Sequence, residues 1–300
     1  MTTAGSSGGR EASARYRRIT RSVGQAIADF GMIRDGDRIL CAVSGGKDSL
    51  VMHQLLVDLA RRAPVQFELV ALSVDQGQPG FERERLARYM ADHRYDHRFV
   101  DEDTYSIVKA KVDADKTPCS LCSRLRRGIL YRQARKLGCN KIALGHHRDD
   151  VIVTLLLNLL FSGQLKAMPP KLVCDEGDIV VIRPLAYCAE DDLAAHAADH
   201  DLPVIPCAFC ATQPRSQRRA VSELLGRLEA EHGGIRASML AALRNVRPSH
   251  LWDTGLWGAL GLVAADDLGE PRAAHPTVGA GAAGEPAPAA SVDQPLQGDG

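Results

Sequence analysis

Neither sign of charge is in excess in this 300-residue chain: 37 lysines and arginines balance 37 aspartates and glutamates, so bulk electrostatics give no vote for nucleic acid. Long hydrophobic runs are missing as well. A membrane-spanning helix needs ~18 or more apolar residues in succession. The longest candidate, Val151 to Phe161, is interrupted by Thr154 and Asn158, so no membrane partner is expected. Met1 to Arg18 is rich in Ser, Gly and Arg and lacks the apolar segment of a secretory signal, which makes the cytoplasm the expected address. No internal repeat is visible.

What is present suits a globular chain. An apolar content of 45% allows an ordinary packed core. Residues 1–14 are low in complexity and 263–300 are dominated by Ala, Gly, Pro and acidic residues, so both ends are expected to be disordered, leaving 15–262 for the fold. Strand-like runs at Arg38–Val43, Phe67–Val74, Arg98–Asp101 and Lys141–Leu144 alternate with helical patterns at Ile19–Phe30, Asp48–Arg62, Phe81–His93 and Arg124–Leu137. A further strand reads at Ile179–Leu185, and helices at Asp191–His200 and Ser216–Ala230. This alternation predicts an α/β fold, a parallel twisted sheet with helices on both faces and its ligands beyond the carboxyl ends of the strands.

Each informative loop falls at such an end. The first strand runs into Ser44-Gly45-Gly46-Lys47-Asp48-Ser49 and then a helix. Two glycines let the backbone approach an anion, the helix N-terminus offers unpaired N–H groups, and Ser44, Lys47 and Ser49 add donors. The spacing is not that of a Walker A loop. It resembles the PP-loop of ATP pyrophosphatases, which implies that ATP is held by its pyrophosphate while a substrate oxygen attacks the α-phosphorus. The loop Asp75–Gly80 would set Asp75 near a ribose, an adenine amino group or a magnesium water, although such a Gly/Pro-rich stretch also reads as a simple turn. Gly145-His-His-Arg-Asp-Asp150 exposes two imidazoles and two carboxylates. No His-Glu-x-x-His helix follows, which argues against a zinc protease. Asp149 and Asp150 read either as dipole-matching caps or, with Gly145, as completing the ATP and magnesium site.

The basic residues are not spread evenly. From Ser123 to Lys136 there is no acidic residue, and Arg124, Arg126 and Arg127 are candidates for RNA phosphates, with Arg215, Arg218 and Arg219 forming a second cluster. Of eight cysteines, Cys41, Cys139, Cys174 and Cys188 stand alone and read as small buried hydrophobes. Cys119-x-x-Cys122 and Cys207-x-x-Cys210, with 84 residues between Cys122 and Cys207, read as two knuckles that can converge on one metal. Structural zinc, a redox pair and an iron–sulfur cluster are all open on spacing alone.

Successive blocks narrow this choice. Cys119-Ser-Leu-Cys-Ser-Arg-Leu-Arg-Arg-Gly128, Gly145–Asp150, Met168-Pro-Pro-Lys171, Ile182-Arg-Pro-Leu185, Ile205-Pro-Cys-Ala-Phe-Cys210 and Asn245-Val-Arg-Pro-Ser-His250 resemble, in order, those of the TtcA-type tRNA 2-thiocytidine synthetases. The resemblance runs from about Arg15 to about Trp257 and leaves the tail uncovered. It implies ATP with magnesium, a [4Fe-4S] cluster and 2-thiolation of cytidine 32 in a tRNA anticodon loop, through adenylation of O2 and sulfur transfer. It also implies cluster ligation by Cys119, Cys122 and one of the second pair, for which Cys210 is chosen and Cys207 stays a candidate. Lys47, Asp48 and Asp149 are the catalytic candidates. The partners implied are tRNA, a cysteine desulfurase or other sulfur donor, and a second copy in a homodimer. The rivals are a 2-thiouridine or lysidine-type PP-loop enzyme and a non-catalytic zinc-knuckle tRNA-binding protein.

Overall fold

The computed structural model describes residues 5–111, 119–205 and 217–262, without the side chains of residues 5–8, 119 and 120. Cys207, Cys210, Arg215 and the 263–300 stretch lie outside the described residues. Strands β1 (Asp37–Ala42), β2 (Phe67–Asp75), β3 (His97–Asp101), β4 (Lys141–Ala143), β5 (Lys171–Val173) and β6 (Val180–Ile182) form one sheet in the order β3-β2-β1-β4-β6-β5. All pairings are parallel except that of β5 with β6. From β1 the chain adds β2 and β3 on one side and then returns to the other side for β4, so the order reverses between β1 and β4.

Side-chain alternation along β1 explains why helices cover both faces. Ile39, Cys41 and Val43 are buried with residues of α1 (Gly5–Asp29), α2 (Lys47–Ala60), α3 (Arg83–Asp92) and α7 (Glu190–Asp199). Leu40 points the other way, into a second cluster with Leu130 and Ala134 of α5 (Cys119–Lys136). A third cluster joins α6 (Arg148–Phe161), α8 (Gln217–His232) and α9 (Ile235–Ala242) through Ile152, Leu156, Val221, Leu225 and Met239. The single cysteines 41, 139, 174 and 188 are free thiols and buried, as their isolation in the sequence predicts.

Three features depart from the sequence expectation. Residues 5–14, expected to be disordered, are helical: α1 begins at Gly5. Its Glu11 pairs with Arg15 one turn along at 3.5 Å, and Arg15 and Arg18 tie the helix to Asp199 and Asp192 of α7, giving residues 5–14 an anchored helix to continue. The span 15–262 is divided, the first unit ending at Val246. The second holds a 3₁₀ turn at Pro248–His250 and α10 (Thr254–Ala259), joined by Trp257 Nε1 donating to the Pro248 carbonyl at 2.9 Å. Finally, α4 (Thr104–Lys111), α9 and β5 are too short for their periodicity to stand out in the sequence.

Candidate active site

The loops leaving β1, β4 and β6 surround the point where strand order reverses, where open α/β sheets place their ligands. The first loop is braced from within. Ser49 Oγ donates to the Gly46 carbonyl at 2.8 Å and accepts the Ser44 N–H at 3.1 Å. Gly45 has φ +83°, in the left-handed region, and its carbonyl accepts the N–H of Ile205 at 2.9 Å. Gly46 caps α2 without offering a side chain to its first N–H groups, which are left for an anion. A Cβ on Gly145 would lie 2.9 Å from Ser49 N and 3.0 Å from Asp48 C, so the end of β4 rests on this loop in a way only glycine permits.

These loops wall a cleft of about 420 Å³. Ser44, Gly46, Asp48 and Ser49 line it from β1 and α2, Gly145, His146 and Asp150 from β4 and α6, Arg126, Arg127 and Tyr131 from α5, and Arg183 from the end of β6. Its floor is apolar, from Leu130, Ile142, Leu144 and Val181, and the few polar groups converge on it as in small-molecule sites generally. Lys47 lies beside the cleft, its Nζ held by Asp48 at 3.1 Å and by Glu190 at 3.0 Å. Burial works against its charge, but Glu190 and Asp48 outweigh this and raise its pKa.

Two neighbouring histidines are driven apart. Burial, then the charge of Arg183, pushes His146 down to about 4. His147 is buried too, but three carboxylates surround it, Asp149 at 3.7 Å, Asp150 at 3.5 Å and Asp48 at 3.9 Å, and together with Glu190 they raise it. Environment alone moves two adjacent imidazoles in opposite directions.

The sequence candidates separate accordingly. Asp150 lines the larger cleft and also accepts the His147 N–H at 3.3 Å at the start of α6, so it caps the helix while facing the cleft. Asp149 lines a smaller pocket of about 210 Å³, where it accepts the Glu190 N–H at 2.9 Å and pairs with Arg236 at 3.0 Å. Burial would raise its carboxyl, but His147, the Glu190 N–H and Arg148 hold it below the usual range. Asp75 ends β2, accepts the Gly77 N–H at 3.0 Å, lies 3.7 Å from Arg83 and does not line the cleft.

Beside the cleft on α5, next to the lining residue Ser123, stands Cys122, which falls with Cys119 in that helix's first turn. The half-buried thiol donates to Gln76 Oε1 at 3.4 Å, and Gln76 also accepts from Thr104 Oγ1 at 3.1 Å. One turn along, Arg126 Nη2 donates to Cys122 Sγ at 3.7 Å. Sulfur is a soft donor of the kind zinc and iron–sulfur clusters take, so Cys122 has the chemistry of a ligand. Among the described residues no three ligating side chains gather, since Cys207 and Cys210 lie outside them and the side chain of Cys119 is not described. Arg124 is exposed on α5.

Sequence reasoning passed over Gln76, Arg183 and Glu190. The first sits in the loop read as a turn and the second in a quoted block with no role attached. Nothing in the local pattern marks the third.

Fold and cleft together define a PP-loop nucleotide-binding protein, and a family model described as a PP-loop domain matches residues 15–205. A tRNA-cytidine(32) 2-sulfurtransferase of Sorangium cellulosum is 63% identical over 256 residues, covering 85% of this chain and 90% of that protein. One from Cupriavidus pinatubonensis is 54% identical over 245 residues, covering 82% and 78%. The chain belongs to the tRNA-cytidine(32) 2-sulfurtransferase family. The solved U34-tRNA thiolase NcsA from Methanococcus maripaludis with its [4Fe-4S] cluster superposes with a TM-score of 0.64 at 25% identity, covering 78% of this chain and 80% of that one.

Proposed function

We propose that the protein is an ATP-dependent tRNA-cytidine(32) 2-sulfurtransferase that adenylates O2 of the target cytidine and replaces it by sulfur. The observation that carries this reading is Arg126, which lines the nucleotide cleft and also touches Cys122, bringing the activating end of the site to the sulfur-handling end. The oxygen of a pyrimidine carbonyl is a poor leaving group, and its transfer to the α-phosphorus of ATP makes it leave as AMP.

The chain's own residues divide the work. The free N–H groups of α2 and the hydroxyls of Ser44 and Ser49 would cradle the pyrophosphate. Lys47 would exchange Asp48 and Glu190 for phosphate oxygens. Magnesium enters with phosphates and needs only one or two carboxylates, which Asp48 and Asp150 offer on the cleft wall. Asp149 and His147 would hold the first turn of α6 in place. Arg124, Arg126 and Arg127 would meet RNA phosphates. Cys119, Cys122 and Cys210 would hold a [4Fe-4S] cluster, which when bound supplies an iron site for sulfur. The same reading takes sulfur from a cysteine desulfurase or other sulfur donor, works as a homodimer and acts in the cytoplasm; no described helix is long and apolar enough to cross a membrane.

The test is thiolation of an unmodified tRNA transcript by protein reconstituted with iron and sulfide without oxygen. With ATP and magnesium, nuclease digests should contain 2-thiocytidine, with one AMP formed per thiolated base. Lys47→Ala should remove both products while keeping iron, and Cys122→Ala should lose iron and thiolation. AMP formation without 2-thiocytidine, or 2-thiouridine in its place, would refute the assignment.

A further inference from the structure

Arg183 carries a charge that the described residues do not neutralise. It leaves β6 directly after Ile182, is 9% exposed and lines the cleft. Its Nη1 donates to the Pro169 carbonyl at 2.5 Å and its Nε to His146 Nδ1 at 3.3 Å, both uncharged acceptors, leaving Nη2 without a partner among the described residues. No carboxylate of the described residues pairs with it. Tyr131 and then Asp150 act on it only electrostatically, and the Asp150 oxygens are engaged by Arg218 at 2.9 Å and by the His147 N–H at 3.3 Å. A buried cation without a counter-ion is costly, and the other buried cation of this sheet, Lys141, has Asp37 against it. The exception stands at the ligand-binding end of the strands.

We propose that Arg183 is the receptor for a phosphate oxyanion carried into the cleft by the substrate, completing at β6 the anion site that the Ser44–Ser49 loop opens at β1. The inference rests on reading the cleft as the nucleotide site. A guanidinium fork matches phosphate geometry, and on the same cleft wall Arg126, Arg127, Ser44 and the start of α2 suit that ligand, beside the carboxylates Asp48 and Asp150 that a phosphate-bound magnesium would take. His146 fixes the fork: with Nδ1 accepting from Arg183, its own proton sits on Nε2, so the ring stays neutral and aligned. The phosphate has two sources, the nucleotide and the RNA backbone.

Binding measurements separate them. Wild type and Arg183→Met are titrated with α,β-methylene-ATP and magnesium, with adenosine, and with an unmodified tRNA transcript at several salt concentrations. Arg183→Met should bind at least one phosphate-bearing ligand tenfold or more weakly, with adenosine unaffected. Loss confined to the nucleotide assigns its phosphate. Loss for tRNA, with a salt slope reduced by about one phosphate contact, assigns the RNA backbone. Unchanged affinity for both, or an equal loss for adenosine, overturns the proposal. Wild type that binds neither ligand would instead defeat the nucleotide reading itself. Should Arg183→Met fail to fold, Arg183→Lys carries the comparison: it keeps the cation but not the fork, so several-fold weakening is expected and unchanged affinity overturns.

Discussion

Gly145 and Gly128 show how much a single hydrogen can matter in one place and not in another. At Gly145 a methyl group would press on backbone atoms of Asp48 and Ser49 at 2.9 to 3.0 Å, where no flexible side chain can yield. Gly145→Ala should therefore push the end of β4 away from the phosphate loop, lower stability by about 1–3 kcal/mol and weaken nucleotide binding at least tenfold. At Gly128, inside α5, nothing lies within 4 Å of the added methyl, and Gly128→Ala should stabilise the protein by about 0.5–1 kcal/mol through helix propensity alone. Thermal unfolding and nucleotide titration of the two variants check this, and equal behaviour would mean that β4 does not rest on the loop as described.

The acid-free run on α5 sorts itself once the helix is placed. Arg132 pairs with Glu102, and Arg135 with Glu176 and with Asp178 at 2.6 Å, so these two are committed to neighbouring acids of the same protein. Arg126 and Arg127 face the cleft instead. A helix advances about 100° per residue, so residues a turn and a half apart need not share a face even within one uninterrupted basic sequence. Arg126→Ala with Arg127→Ala should lower the salt dependence of tRNA affinity by about one to two phosphate contacts, and Arg132→Ala should leave the slope unchanged. Binding titrations of a tRNA transcript across salt concentrations decide it: a slope that moves with Arg132 would mean the RNA lies along the outer face of α5.

For the molecule as a whole, buried histidines set the response to acid. Burial is the leading cause that pushes His53, His97, His146 and His196 each down to about 4. Unfolded, they titrate near ~6.5. Between about 4 and 6.5 the unfolded chain therefore binds more protons than the native one, so stability falls as pH drops through that window and levels off below it. The slope reaches about 1.4 kcal/mol per pH unit for each such histidine. His147, raised by its carboxylates, works in the opposite sense, its contribution being lost as pH rises through its native pKa. Asp37 and Asp149, both held below the usual range, add losses only in stronger acid. Urea midpoints measured from pH 7 to pH 4 should fall steadily, and His53→Leu should remove about one histidine's share of the slope. A midpoint flat across this range would show that the rings are not held neutral.

What the sequence determined by itself is what depends on neighbours along the chain. Strand and helix periodicity specify a parallel α/β sheet; the Ser44–Ser49 pattern specifies a phosphate loop because its glycines, lysine and following helix are contiguous; isolated cysteines such as Cys41 specify burial. What only the tertiary structure decided is which of two equivalent side chains reaches the site, and what surrounds it. Asp149 and Asp150 are adjacent and chemically identical, yet the packing of α6 against α8 and α9 turns one toward Arg236 and the other toward the cleft. Residues 5–14 carry little apolar pattern yet continue a helix that Arg15 and Arg18, just beyond them, tie to α7 far along the chain. Arg183 reads in the sequence as one more arginine. Its direct partners are the Pro169 carbonyl and His146, both uncharged, while Asp150 is engaged by Arg218 on a distant helix, and a charge balance of that kind is a property of three-dimensional neighbours that no local pattern encodes.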